Sequence, residues 1–294
     1  MSMLLIKGTF RVPPKSKPDG DTVPFIPDNV ADWKLVPGCK QIVPAADGRV
    51  SVRLESVDAL ETHYEGAYGP EQHQPLDLAH RAANELLAWV GFASVDRHED
   101  ETVATIPESV PGFILTGGSD IYGRCVALVG RGTPPAASGY EIRVDQELLK
   151  KTANFHLISL GLVYPTFYSA FPRELREFLT TETQKARAAK KGVWADDVDV
   201  TMKGAKITGM PSITAADGAV ILPKLFRRLK EYLDLKPYEP LLNCFPSYLA
   251  GAGDKFRITS EPEQKVGLHR VVEIINGHTV RMTRQPEELV FDEK

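Results

Sequence analysis

Asp19-Gly20-Asp21-Thr22 places two carboxylates on either side of a glycine, in a tight turn between strand-like segments. Alone it is ordinary turn chemistry, because Asp and Gly are what turns select. Further on, Val52-Arg53-Leu54-Glu55-Ser56-Val57-Asp58-Ala59-Leu60-Glu61 alternates as a strand does, with a cation at Arg53 and carboxylates at Asp58 and Glu61. Alone it reads as a half-exposed strand with solvated charges. A later turn, Tyr122-Gly123-Arg124, adds a second arginine at the start of another strand. Taken together, these stretches supply what phosphodiester hydrolysis requires. That is oxygen ligands for a hard cation, a carboxylate to handle the attacking water, and two cations for the charge that develops on the phosphate. Strand parity puts Arg53 and Asp58 on opposite faces of an unbroken strand, so the grouping requires a twist or bend near Val57.

The elements that must position these residues follow from periodicity. Residues 1–60 read as strands and turns, opening with LLIKGTFRV and continuing through a Pro-rich excursion to VSVRLESVD. Leu76, Ala79, Ala83, Leu86, Leu87 and Val90 recur at helical spacing behind Pro75, and residues 102–130 return to strand character. Asp145 is placed to cap a second helix running towards Gly161, and a third helix starts near Pro172 and ends at Gly192. Strands that close on themselves with segregated helices make an α+β fold. Beyond about residue 200 the pattern changes to short strands, a helix with Leu222, Leu225, Phe226, Leu229 and Leu233, and two strands joined by Asn276-Gly277. The organisation predicts one domain over 1–200 and a smaller α+β accessory segment over 201–294, with nothing in the latter that suggests catalysis. Its basic residues Arg227, Arg228 and Lys230 lean towards nucleic acid, while the acidic tail from Glu287 leans away.

Other features carry less. The helix over 172–191 holds Arg173, Arg176, Lys185, Arg187, Lys190 and Lys191, diluted by Glu174, Glu177 and Glu182, as a solvated face would be. The stretch from Pro24 to Asp47, which contains Trp33, is either a rim beside the site or a surface loop. His63, His73, His80 and His156 have no carboxylate at metal-ligand spacing and receive no role.

The net charge of −4 argues against a protein that holds nucleic acid by a broad basic surface, so any contact with a polyanion must be local. No apolar run is long enough to span a membrane, and the opening MSMLLIKGTFRV is too short an apolar stretch for a secretory leader, so a cytoplasmic protein without a membrane partner is expected. Cys39, Cys125 and Cys244 are far apart in the chain and form no metal-binding motif, so they are expected to be reduced.

The motifs in this order resemble the staphylococcal-nuclease (thermonuclease) family: DGDT at 19–22, VRLESVDALE at 52–61, YGR at 122–124 and KARAAKKGVW at 185–194. YGPE at 68–71 and LGLVYPTFY after the second helix are similar to family features too, and the likeness covers roughly residues 5–197. The resemblance implies a five-stranded OB-type β-barrel with three helices. It also implies a calcium-dependent hydrolase of DNA or RNA that leaves 3′-phosphate ends. By position, Asp21 and Asp58 match the metal carboxylates, with the backbone carbonyl of Ala59 completing the protein ligands. Glu61 matches the residue that orients or deprotonates water, and Arg53 and Arg124 match the pair that clamps the phosphate. Asp19 and Thr22 are taken as supporting residues of the turn. Tyr164 and Tyr168 stand where family members place tyrosines near the nucleotide, with core packing as the alternative. The chain departs from the family at Glu55, where an apolar residue is usual and where a carboxylate can compete for Arg53. It departs again at Leu60, which replaces a proline, and at Ser56. Some barrels of this kind have lost catalysis and bind nucleic acid or protein, which is the competing expectation.

Overall fold

The computed structural model describes residues 2–38, 40–235 and 241–292; Cys39 lies outside them, as does the end of the acidic tail. The chain enters on β1 (Ser2–Phe10) and returns on β2 (Thr22–Pro27) and β3 (Val50–Leu54), with a two-residue strand β4 (Val57–Asp58) beyond a turn. Helix α1 (Leu76–Val90) follows, then a small hairpin of β5 (Ser94–Arg97) and β6 (Val103–Ile106), then the long strands β7 (Val110–Ser119) and β8 (Cys125–Arg131). Strand β1 pairs antiparallel with both β2 and β7, β3 runs parallel to β8, and β7 pairs with β8. With β2 on β3, these pairings close five strands into a barrel of the kind OB folds have, and β9 (Glu141–Arg143) extends it along β1. Alternation decides which side chains fill it. In β3, Val50, Val52 and Leu54 are buried, while Ser51 and Arg53 point the other way.

The helix expected from Asp145 to Gly161 is two helices, α2 (Gln146–Leu149) and α3 (Ala153–Ser159). Asp145 caps the first as anticipated, accepting from the Leu148 amide at 2.9 Å. The break comes from the barrel: Thr152 bridges to Gly130 on β8, and its hydroxyl donates to the Leu149 carbonyl (2.7 Å) and starts α3 by accepting from the Phe155 amide (3.3 Å). Asn154 then ties α3 to the barrel wall, accepting from the Val129 amide (2.9 Å) and donating to the Glu55 carbonyl (2.8 Å). Gly161, at φ +66°, ends the helix as the sequence suggests. Two short strands, β10 (Tyr164–Pro165) and β11 (Phe167–Tyr168), precede α4 (Arg173–Ala188).

Residues beyond 200 add β12 (Ala205–Lys206), α5 (Pro211–Thr214), α6 (Pro223–Leu235), α7 (Phe245–Ala252), and β13 (Lys255–Ile258) with β14 (Gln264–Val266). The chain finishes on β15 (Val272–Ile275), β16 (Thr279–Met282) and β17 (Leu289–Phe291). Asn276 and Gly277, both at positive φ, turn β15 into β16 as that dipeptide predicts. This half does not stand apart from the barrel. β17 pairs parallel with β11, and one apolar core holds Leu60, Ala79, Tyr164, Val193 and Trp194 together with Leu222, Leu225, Phe226, Leu229, Phe245, Phe256 and Phe291. The boundary near residue 200 is a change of sequence pattern across a continuous core. No helix among the described residues is long and apolar enough to cross a membrane.

Candidate active site

Asp21 enters the site from the turn before β2, where its carbonyl accepts from the Leu54 amide at 2.8 Å. Its carboxylate accepts from the Ala59 amide (2.7 Å) and the Thr22 hydroxyl (3.2 Å), and ion-pairs with Arg53. Gly20 is what lets this turn pack so closely: a Cβ there would lie 2.6 Å from the Ala82 methyl on α1 and 2.8 Å from that of Ala59. Ala59 is buried, its small side chain filling the space opposite that glycine.

The bend required between Arg53 and Asp58 is a turn at Glu55–Ser56, with Ser56 at φ +65°. It reverses the parity of the chain between β3 and β4, so Arg53 Nη2 reaches Asp58 at 2.6 Å and the Val57 carbonyl at 3.2 Å. The Ser56 hydroxyl donates to the Glu55 carboxylate (3.2 Å), and the Arg53 guanidinium engages Asp21, Asp58 and the Val57 carbonyl. Asp58, with no exposed surface, is held in β4 by pairing with Tyr164 in β10.

Glu61 follows at the rim of the turn. Its amide donates to Gln74 (3.3 Å), whose side chain in turn donates to the Ile221 carbonyl (2.8 Å), linking the site to the C-terminal half. Asp19 accepts from the Thr62 amide (3.1 Å) and hydroxyl. Arg124 follows Gly123, at φ +81°, and stands half-exposed on the rim, where Nε holds Asp120 at 2.7 Å.

Arg227 of α6 completes the cluster, and sequence reasoning did not place it here. Its guanidinium lies across Asp58, with Nη2–Oδ2 at 2.9 Å and Nη1–Oδ1 at 3.2 Å, and also pairs with Glu61. The charges of Asp58 and Glu61 respond differently. Burial alone would raise the Asp58 carboxyl, but the guanidiniums of Arg227 and Arg53 outweigh it and hold the group at about 2. Burial pushes Glu61 up to about 8 against the pull of Arg227, with the charges of Asp19, Asp58 and Asp21 adding to the rise. Burial raises Asp19 as well.

These residues line a cleft of about 500 Å³ with two walls. The barrel supplies Asp19, Asp21, Thr22, Arg53, Glu61 and Arg124, and the C-terminal half supplies Lys224, Arg227, Arg228 and Lys255, with Tyr168 and Phe291 between. Tyr168 therefore faces the cleft as anticipated. Tyr164 does not: it is fully buried against Trp194 and donates its hydroxyl to Asp199 at 2.9 Å, so the substrate-binding role considered for it gives way to core packing. Trp33 is buried too, packing edge-on to Phe25 and donating to the Gly48 carbonyl (2.8 Å), so the excursion over 24–47 braces the barrel, and none of its described residues lines the cleft. The basic helix α4 spends its charges on local pairs such as Arg173–Glu177 and on Arg187–Glu287 at 2.6 Å.

Two carboxylates, Asp21 and Asp58, and the Ala59 carbonyl are hard oxygen donors of the kind calcium takes. Arg53 bridges Asp21 and Asp58 in this cluster, and Arg227 bridges Asp58 and Glu61. Among the described residues no three His, Cys, Asp or Glu side chains converge on one ion position, so a cation here would rely on these two carboxylates, the carbonyl and water. The donors fit in kind, and the guanidinium of Arg227 already engages Asp58. Comparison of the chain with protein-family models and with curated proteins finds no match.

Leu60 gave a signal for Arg227 that sequence reading left unused. This apolar residue beside Glu61 is buried in the same core as Leu225, Phe226 and Leu229 of α6, the helix that carries Arg227.

Proposed function

We propose that the cleft hydrolyses phosphodiester bonds of DNA or RNA with the help of calcium, leaving 3′-phosphate ends. The observation that carries this reading is the convergence of Asp21, Arg53, Asp58 and Glu61 around one guanidinium–carboxylate cluster, with Arg124 on the rim of the same cleft. Asp21, Asp58 and the Ala59 carbonyl would hold the ion, which when bound supplies charge neutralisation and a polarised water. Arg53 exchanges its contacts with Asp21 and Asp58 for a phosphate oxygen, and Arg124 exchanges Asp120 for a second one, which fixes the phosphorus between them. Glu61, in its ionised form, takes the proton of the attacking water, and Arg227 beside it favours that form. Tyr168 offers a ring to the adjoining base. A barrel module that binds nucleic acid or protein without cutting is the second reading, and the observation that favours it is Arg227 closed over Asp58 and Glu61.

Purified protein incubated with labelled single-stranded DNA and RNA, in calcium and in chelator, tests the proposal. Calcium-dependent cleavage to 3′-phosphate ends that is lost in Glu61→Ala is the expected result. Intact polymer in every lane, with the protein folded, would leave the binding module.

A further inference from the structure

Arg227 covers one of the oxygen donors that a divalent ion would need, the carboxylate of Asp58. It covers both carboxylate oxygens of Asp58, and through the same guanidinium it holds Glu61. Asp58 has no exposed surface, and the Arg227 side chain is 23% exposed and lines the cleft, so the carboxylate is shielded from solvent screening and lies behind the guanidinium as seen from the cleft. The helix carrying it is anchored independently of the pair: Leu225, Phe226 and Leu229 lie in the core, Arg228 holds Asp254 at 2.9 Å, and Lys230 is fully buried against Asp234 (2.7 Å) and the Tyr68 carbonyl (2.6 Å). Releasing Arg227 from the carboxylates therefore requires only its own side chain to move, into a cleft already lined by Lys224 and Lys255.

We propose that Arg227 is a tethered cation that occupies the carboxylates until a divalent ion displaces it, so that the C-terminal half sets the ion concentration at which the site switches on. The proposal rests on the nuclease reading of the cleft. A guanidinium and a divalent ion cannot both take the two oxygens of Asp58, so each weakens the other's binding there. A free Arg227 would stand at the cleft wall facing the substrate phosphate, as a third cation beside Arg53 and Arg124.

Calorimetric titration of the full chain with calcium chloride in metal-free buffer tests the competition without reference to catalysis. Arg227→Gln, folded by circular dichroism, is expected to bind calcium at least about tenfold more tightly than the parent chain, because a site whose competent state is a minor population binds correspondingly weakly. Arg227→Lys, which keeps the charge and loses the two-pronged contact, is expected to fall between them. Equal or weaker calcium binding in the variants would overturn the competition and leave the calcium-dependent reading standing; no calcium binding by parent or variants would overturn both. On the unmodified chain, the Arg227 Nε–H signal in a side-chain NMR spectrum, identified by its loss in Arg227→Lys, is expected to move as calcium is added. A signal that stays put while calcium binds would overturn the displacement directly.

Discussion

Asp58 shows how steeply a site can depend on one side chain. With no exposed surface it has to be matched by cations, and it is, by Arg53 on one side and Arg227 on the other. Replacing it by Asn leaves the two guanidiniums facing a neutral amide, and the expected loss is about 3–5 kcal/mol in a denaturant titration. Arg53→Ala and Glu61→Ala are expected to lower turnover on the order of 10²–10³-fold, as removal of charge-stabilising groups does elsewhere. Assays of 5′-labelled oligonucleotide cleavage in calcium check this. Cys125 gives a prediction outside the site. Burial pushes its thiol up to about 12, and the thiolate is the reactive form, so below about pH 10 the native protein is expected to protect Cys125 from iodoacetamide while the exposed Cys244 is labelled. Peptide mapping by mass spectrometry at stepped pH reads the outcome. That Asp21, Arg53, Asp58 and Glu61 come together was legible from residue type and order alone. Tyr164 stayed open between two readings because a tyrosine at that spacing suits a nucleotide and a core equally, and its partner Asp199 lies where the sequence shows no link to it.

Among the elements, the turn at Glu55–Ser56 and the turn at Gly20 decide whether the chemistry assembles. Parity alone demanded a bend near Val57, and the structure supplies it through the positive φ of Ser56, which no pattern of apolar residues could have located to the residue. Gly20→Ala would press a methyl onto Ala59 and Ala82, and is expected to cost about 1–3 kcal/mol by thermal unfolding, with a loss of calcium affinity as Asp21 shifts. The break between α2 and α3 lay beyond sequence reading for a related reason. Leu148, Leu149, Thr152 and Phe155 keep helical spacing across it, and only the pull of Gly130 and Glu55 on Thr152 and Asn154 interrupts them. The helix caps and the Asn276-Gly277 turn were readable because they act within a few residues of themselves.

At the scale of the molecule, the accessory segment expected over residues 201–294 shares a core with residues of the first half. A chain cut after residue 200 would expose Leu60, Tyr164, Val193 and Trp194 and strip Asp58 of one of its two cations. It is expected to aggregate or unfold well below the parent's melting temperature, and the intact chain to melt in a single calorimetric transition across both halves. Two separated transitions, with the first half folded alone, would contradict this. The C-terminal architecture was hard to foresee because its long-range contacts, such as β11 with β17, have no local signature. That pairing also fixes the order in which the protein can be finished on the ribosome. Barrel, α1 and α4 are synthesised first, while β17 emerges later and must return to Phe167–Tyr168, and Arg227 reaches a glutamate made 166 residues earlier. A nascent chain thus carries the acidic cluster for some time without the arginine that covers it, and the finished fold is the one in which that exposure ends.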